Sequence, residues 1–236
     1  MPNFRVRNAS PKVGEIFIYD VIGADWWGDG ITPKTFADAL ASLGRVDTIQ
    51  MRINSEGGDV FDGFAIYSQL VRHPARIEAD VDGLAASIAS VILMAADEIR
   101  VASNARIMIH DPWGMAMGTA DEMRARADLL DSIKTSIVDT YAARTGMDRG
   151  RLVDLMAAET WMTASEALNS GFADSVTEPL RMAASAGAYD LSRYRNAPRE
   201  WAGVIQRRDP AEATSAMLRA KCADLARRNA QHTPTS

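Results

Sequence analysis

The chain has 236 residues, 47% hydrophobic and 24% charged, which suits one large domain able to bury a core. A formal net charge of −5 gives no general affinity for nucleic acid, and a single cysteine, Cys222, excludes an intrachain disulfide and fits a reducing compartment. Residues 1–12 lack the apolar stretch of a signal peptide, and the longest apolar run, 88–96, is too short to span a bilayer, so a cytoplasmic protein without membrane attachment is expected.

Residues 15–21 (EIFIYDV) alternate apolar and polar side chains and are read as a strand. Thr32 and Pro33 supply an N-cap and a proline at the first helical position, opening a helix to about Leu43. A second strand is expected over 47–53, ending in the turn Asn54-Ser55-Glu56-Gly57-Gly58. From 62 to 73 the residues Phe64, Ile66, Tyr67, Leu70 and Val71 have helical spacing, and Pro74 stops the helix. A third strand over 76–81, a largely apolar helix over 87–96 and strands over 99–101 and 106–110 follow. This alternation predicts an α/β fold with a mostly parallel sheet.

A long helix is expected over 119–144, with Met123, Ala127, Leu130, Ile133, Ile137 and Tyr141 in one apolar stripe and Gly146 ending it. That stripe could pack on its own sheet or on another subunit. Beyond Leu180 the character changes. Residues 1–180 hold 16 Lys/Arg against 26 Asp/Glu, whereas residues 181–236 hold 10 against 5. The reading is a body with a flexible basic tail, carrying one helical patch at 210–228.

Three weak chemical signals fall at matching ends of successive strand–helix units. Asp82-Gly83-Leu84-Ala85-Ala86-Ser87 joins a strand to a helix, and small residues before a serine permit the sharp turn that exposes a nucleophile. Ser87 is equally suited to be a plain N-cap, and Ser90, one turn on, is read as a packing residue. Gly57-Gly58 lets the backbone approach a ligand, so the Gly58 and Ile88 N–H groups could form an oxyanion hole beside Ser87. Of three histidines, His73 suits a helix end and His232 lies in the polar tail, leaving His110 at a strand end as the candidate base. Asp111, Glu159 and Asp174 are candidates for the carboxylate that orients it. Asp111 should point to the opposite face, and residue types do not decide between the other two.

Four segments in order, INSEGGDVFDGFAIY (53–67), VDGLAASIAS (81–90), ARIMIHDPWG (105–114) and ETWMTASEALNSGFADSV (159–176), resemble the Clp-type serine peptidase subunit, and in particular its phage head-maturation relatives. The resemblance covers about 14–176. It implies a crotonase/Clp-protease-like α/β spiral of βαβ units with a projecting handle helix over 119–144, and a domain division of N-terminal segment (1–13), catalytic domain (14–180) and tail (181–236). It implies Ser87 as nucleophile, His110 as base, the Gly58 and Ile88 amides as oxyanion hole, and Glu159 as third triad member where the ordinary subunit has aspartate. Asp174 then looks like a structural acid, and Glu56 stands where the ordinary subunit has proline.

The implied partners are other copies of the chain, in a heptameric ring or double ring, and a peptide strand beside 113–117. The phage branch adds capsid and scaffold proteins as substrates, in the host cytoplasm or the assembling virion. No cofactor or metal is implied, and the missing axial-loop sequence argues against docking to an AAA+ unfoldase. A crotonase-like acyl-CoA enzyme would share the fold but has no use for a serine at 87. A ring-forming scaffold without turnover would need neither Ser87 nor His110.

Overall fold

Strand and helix alternate as the patterning predicts, and the strands gather into one eight-stranded sheet. The computed structural model describes residues 4–24, 30–179 and 189–198. The helical patch at 210–228, Cys222 and His232 lie outside them. In chain order the elements are β1 (Phe4–Ser10), β2 (Val13–Ile18), α1 (Pro33–Leu43), β3 (Thr48–Ser55), α2 (Val60–Val71), β4 (Arg76–Ala86), α3 (Ile88–Leu93), β5 (Glu98–Ala102), β6 (Arg106–Ile109), α4 (Ala120–Thr145), α5 (Arg149–Ala157), β7 (Thr160–Thr163), α6 (Ala164–Asn169) and β8 (Ser175–Thr177). The sheet runs β1-β2-β3-β4-β5-β8, while β6 pairs with β4 and with β7. Only β1–β2 and β6–β7 are antiparallel.

Burial follows the sequence pattern. Along β4, Ile77, Ala79 and Val81 are buried while Glu78 and Asp80 are partly exposed, and from Val81 to Ala86 every residue is buried. The polar face of the alternating half is tied across strands by Arg100, which pairs with Asp80 on β4 (2.8 Å). Slipping β4 by one residue would bury those carboxylates and expose the aliphatic set, so the register is strongly fixed.

Helix α4 begins with a capping box between Thr119 and Glu122 and ends on Gly146 in the left-handed region. Of its expected stripe only the C-terminal part, Ile133, Ile137 and Tyr141, is buried on the chain's own core, while Met123 and Ala127 in the first half are exposed, as is the neighbouring Leu129. No described helix is long and apolar enough to cross a membrane.

Two regions differ from expectation. Residues 4–10, read as part of a polar N-terminal segment, form β1 and pair with β2. At 189–198 the expected flexible tail is instead a strap packed on the body. Its Tyr189, Leu191 and Tyr194 form a second apolar cluster with Leu84, Ala86 and Met108, a patch that the sheet would otherwise leave open.

Candidate active site

Parallel register brings the chemistry together. Ser55 is level with Ala85, and Ala86 is level with Met108, so β3, β4 and β6 end side by side. The residues just beyond those ends are Gly57 and Gly58, Ser87, and His110. The C-terminal edge of such a sheet is where α/β proteins place their ligands.

Ser87 sits on a strained turn at φ 55° and ψ −129°. Its N–H donates to the Met108 carbonyl (2.9 Å), and its carbonyl accepts from the Ser90 N–H (2.9 Å) and hydroxyl (2.6 Å). The Ser87 hydroxyl makes no N-cap bond. It lies 2.7 Å from His110 Nε2 instead, which sets aside the plain N-cap alternative. Ser90 is fully buried against Tyr141 (2.8 Å) and packs, as expected.

Close approach explains the paired glycines. A Cβ on Gly57 would stand 2.8 Å from the Ser87 Cβ and 2.7 Å from the Ala86 carbonyl oxygen. One on Gly58 would stand 2.0 Å from the Ile22 carbonyl oxygen. Among the described residues, the N–H groups of Gly58 and Ile88 donate to no protein acceptor. Both border the serine and remain available to a ligand oxygen. Gly58, Ser87 and His110 open onto a cavity of about 430 Å³, which runs past Trp113 and Met115 to the first half of α4.

His110 is largely enclosed, with the Tyr194 ring edge-on to it at 5.2 Å. Burial pushes its pKa below the ordinary imidazole value, partly opposed by Glu159 and Asp111 and reinforced by Arg193 and Arg195. A base must be neutral to accept a proton, so a lowered pKa keeps His110 competent under mildly acidic conditions. The acid limb of kcat/KM should therefore fall below the ordinary imidazole value of 6.5. A pH–rate profile on a small peptide ester checks this, and a limb above that value would contradict the buried setting.

The three candidate carboxylates separate clearly. Asp111 is turned to Lys134 of α4 (2.9 Å). Asp174 accepts from the Ile99 N–H (2.7 Å) and pairs with Arg144, joining β5 to α4. Glu159 alone is buried beside His110, at 5% exposure and a positive φ of 52°. It makes no hydrogen bond to the imidazole. Its oxygens accept from the Trp161 indole (3.2 Å) and from the backbone N–H groups of Arg195 (2.9 Å) and Asn196 (2.6 Å). Its influence on His110 is electrostatic. Those strap residues were not legible in sequence, since backbone donors leave no composition signal. Among the described residues no three metal-ligating side chains converge.

A strained serine paired with an enclosed imidazole, at the ends of parallel strands, defines a serine peptidase on a mixed α/β fold. The Clp protease family model matches residues 29–179, and the chain belongs to that family. It is similar to the ATP-dependent Clp protease proteolytic subunit 1 of Chlamydia abortus, with 35% identity over 161 residues covering 64% of this chain and 84% of that protein. The same subunit of Protochlamydia amoebophila is 34% identical over 176 residues, covering 73% and 84%. In fold it is similar to a ClpP1 point mutant from Listeria monocytogenes, with a TM-score of 0.61 and 23% identity over 70% of this chain and 91% of that one.

Proposed function

We infer that this chain is the proteolytic subunit of a ring-forming serine endopeptidase that processes capsid or scaffold proteins of an assembling phage particle in the host cytoplasm. The observation that carries the chemistry is the 2.7 Å contact between the Ser87 hydroxyl and His110 Nε2, beside two N–H groups that donate to no acceptor among the described residues. His110 takes the Ser87 proton as Oγ attacks the scissile carbonyl carbon. The resulting oxyanion is held by the Gly58 and Ile88 N–H groups, and Glu159 balances the imidazolium charge. His110 then gives its proton to the leaving amine, and water, deprotonated by the same imidazole, releases the acyl group.

Ring assembly is supported by the exposed Met123 and Leu129 on the projecting half of α4, a surface that a second ring would cover. The phage reading rests on the departures at Glu56 and Glu159 and on the basic tail, 10 Lys/Arg against 5 Asp/Glu over 181–236.

Co-expression with phage capsid and scaffold proteins tests substrate class. Wild type should cut them and Ser87→Ala should not. A fluorophosphonate probe should label Ser87. Label at Ser90, or cutting by both forms, would remove the reading.

A further inference from the structure

The strap at 189–198 reaches the site through three sets of contacts, and they converge on His110 from both sides. On one side, Arg195 and Asn196 donate their backbone N–H groups to Glu159, one to each oxygen, while the Asn196 side chain donates to the Ala158 carbonyl (2.8 Å) and an Arg195 guanidinium nitrogen to that of Ala157 (3.3 Å). On the other side, Glu56 accepts from the Asp190 N–H (2.5 Å) and pairs with Arg193 (3.4 Å), and its carbonyl accepts from the Tyr194 hydroxyl (2.6 Å). Between these anchors the Tyr194 ring lies against both the His110 and the Trp161 rings.

Glu56 and Glu159, two positions at which this chain departs from the ordinary Clp pattern, are both carboxylates that the strap binds. A buried carboxylate is costly unless hydrogen-bonded. Without the strap, Glu159 would retain only the indole of Trp161 among these donors. The strap does not obstruct the site. With it docked, Ser87 and His110 are already in contact, the Gly58 and Ile88 N–H groups have no acceptor among the described residues, and the cavity remains open with Arg193 and Tyr194 in its wall.

We propose that residues 189–198 are a positioning element of the active site, with the Arg195 and Asn196 amides fixing the Glu159 carboxylate and the Tyr194 ring enclosing the His110 imidazole. This rests on the assignment of Ser87 and His110 given above. The charged groups facing His110 are Glu159 and Asp111 from the body and Arg193 and Arg195 from the strap, and all four are retained when Tyr194 is changed. Any movement of the imidazole titration in that variant then reports the loss of the Tyr194 side chain, both its ring beside His110 and its hydroxyl beside Ser87, rather than a change in the facing charges.

The test uses the full-length protein and a small fluorogenic peptide ester, with fluorophosphonate labelling of each variant. Asn196→Pro deletes one donated N–H and should lower kcat by about 10- to 100-fold, the size of one charge-assisted hydrogen bond, with KM nearly unchanged. Asn196→Ala keeps that N–H and should lose no more than about threefold. Tyr194→Ala should move the acid limb of kcat/KM upward toward the ordinary imidazole value, because water reaches the ring. Ser192→Ala, exposed on the same strap, is the control.

Equal kcat in the Pro and Ala variants of Asn196, or an unmoved acid limb in Tyr194→Ala, would overturn the proposal. A rise in activity in either strap variant would overturn it too and would mark the strap as an inhibitory flap. If wild type is labelled at Ser87, such failures belong to the strap alone. If wild type is not labelled there, the site assignment has failed and the proposal falls with it.

Discussion

Ser87→Ala should reduce peptide-ester hydrolysis by up to about a millionfold, the full effect of a triad that acts as a unit. The Ser87 side chain meets His110 Nε2 at 2.7 Å, lies beside the Tyr194 hydroxyl and contributes nothing to capping α3. What holds the turn is backbone, namely the Ser87 N–H to Met108 and the Ser87 carbonyl to Ser90. Alanine keeps all of that and meets no worse backbone strain than serine at φ 55°, so the melting temperature should stay close to wild type. His110→Ala should cost a similar factor, and the double variant scarcely more than either alone, because neither group works without the other. The measurement is kcat/KM for the four proteins together with thermal unfolding. If the two single losses multiply in the double variant, the residues act independently and the shared mechanism fails.

The sequence showed its chemistry best where backbone geometry and residue type coincide. Serine after small residues, paired glycines after one strand and histidine at the end of another each gave a weak signal. Strand register converts them into one site, and alternating Ile77, Ala79 and Val81 against Glu78 and Asp80 made that register readable. The choice between Glu159 and Asp174 was not readable, because it depends on where each carboxylate finds donors. Asp174 finds Ile99 and Arg144, and Glu159 finds the strap. The strap itself was hidden for a related reason. Its neighbourhood is rich in Ala, Ser and Arg, and within it Tyr189, Leu191 and Tyr194 are buried, with Ala197 packed partly against them. Two tyrosines, a leucine and an alanine scattered among polar residues resemble a solvated tail until the patch that they cover, Leu84, Ala86 and Met108, is known. The unread β1 has the same origin. At a sheet edge its outward residues stay polar, so Phe4 and Val6 alone mark its inner face.

Gly58→Ala should be the most damaging change outside the Ser87–His110 pair, lowering kcat by about a hundredfold to a thousandfold, as expected when one oxyanion donor is displaced. At φ 151° the residue already favours glycine, and the added Cβ would stand 2.0 Å from the Ile22 carbonyl oxygen and 2.8 Å from its nitrogen. Ile22 cannot simply withdraw. Its N–H donates to the Gly57 carbonyl and its carbonyl accepts from the Asp59 N–H, both at 2.8 Å, so the two chains are clamped on either side of the clash. Relief must come from moving the Gly57-Gly58 turn, which carries the Gly58 N–H away from the place where an oxyanion would form beside Ser87. Gly44→Ala separates this loss from general destabilisation. Gly44 also has a positive φ, 65°, but a Cβ there meets nothing within 4 Å. That variant should lose about 1–3 kcal/mol of stability from the positive-φ backbone alone and keep its activity. Gly58→Ala should lose kcat out of proportion to its melting temperature while fluorophosphonate still reaches Ser87 slowly. Activity within about threefold of wild type in Gly58→Ala, far short of the loss of an oxyanion donor, would mean that this amide takes no part in stabilising the oxyanion.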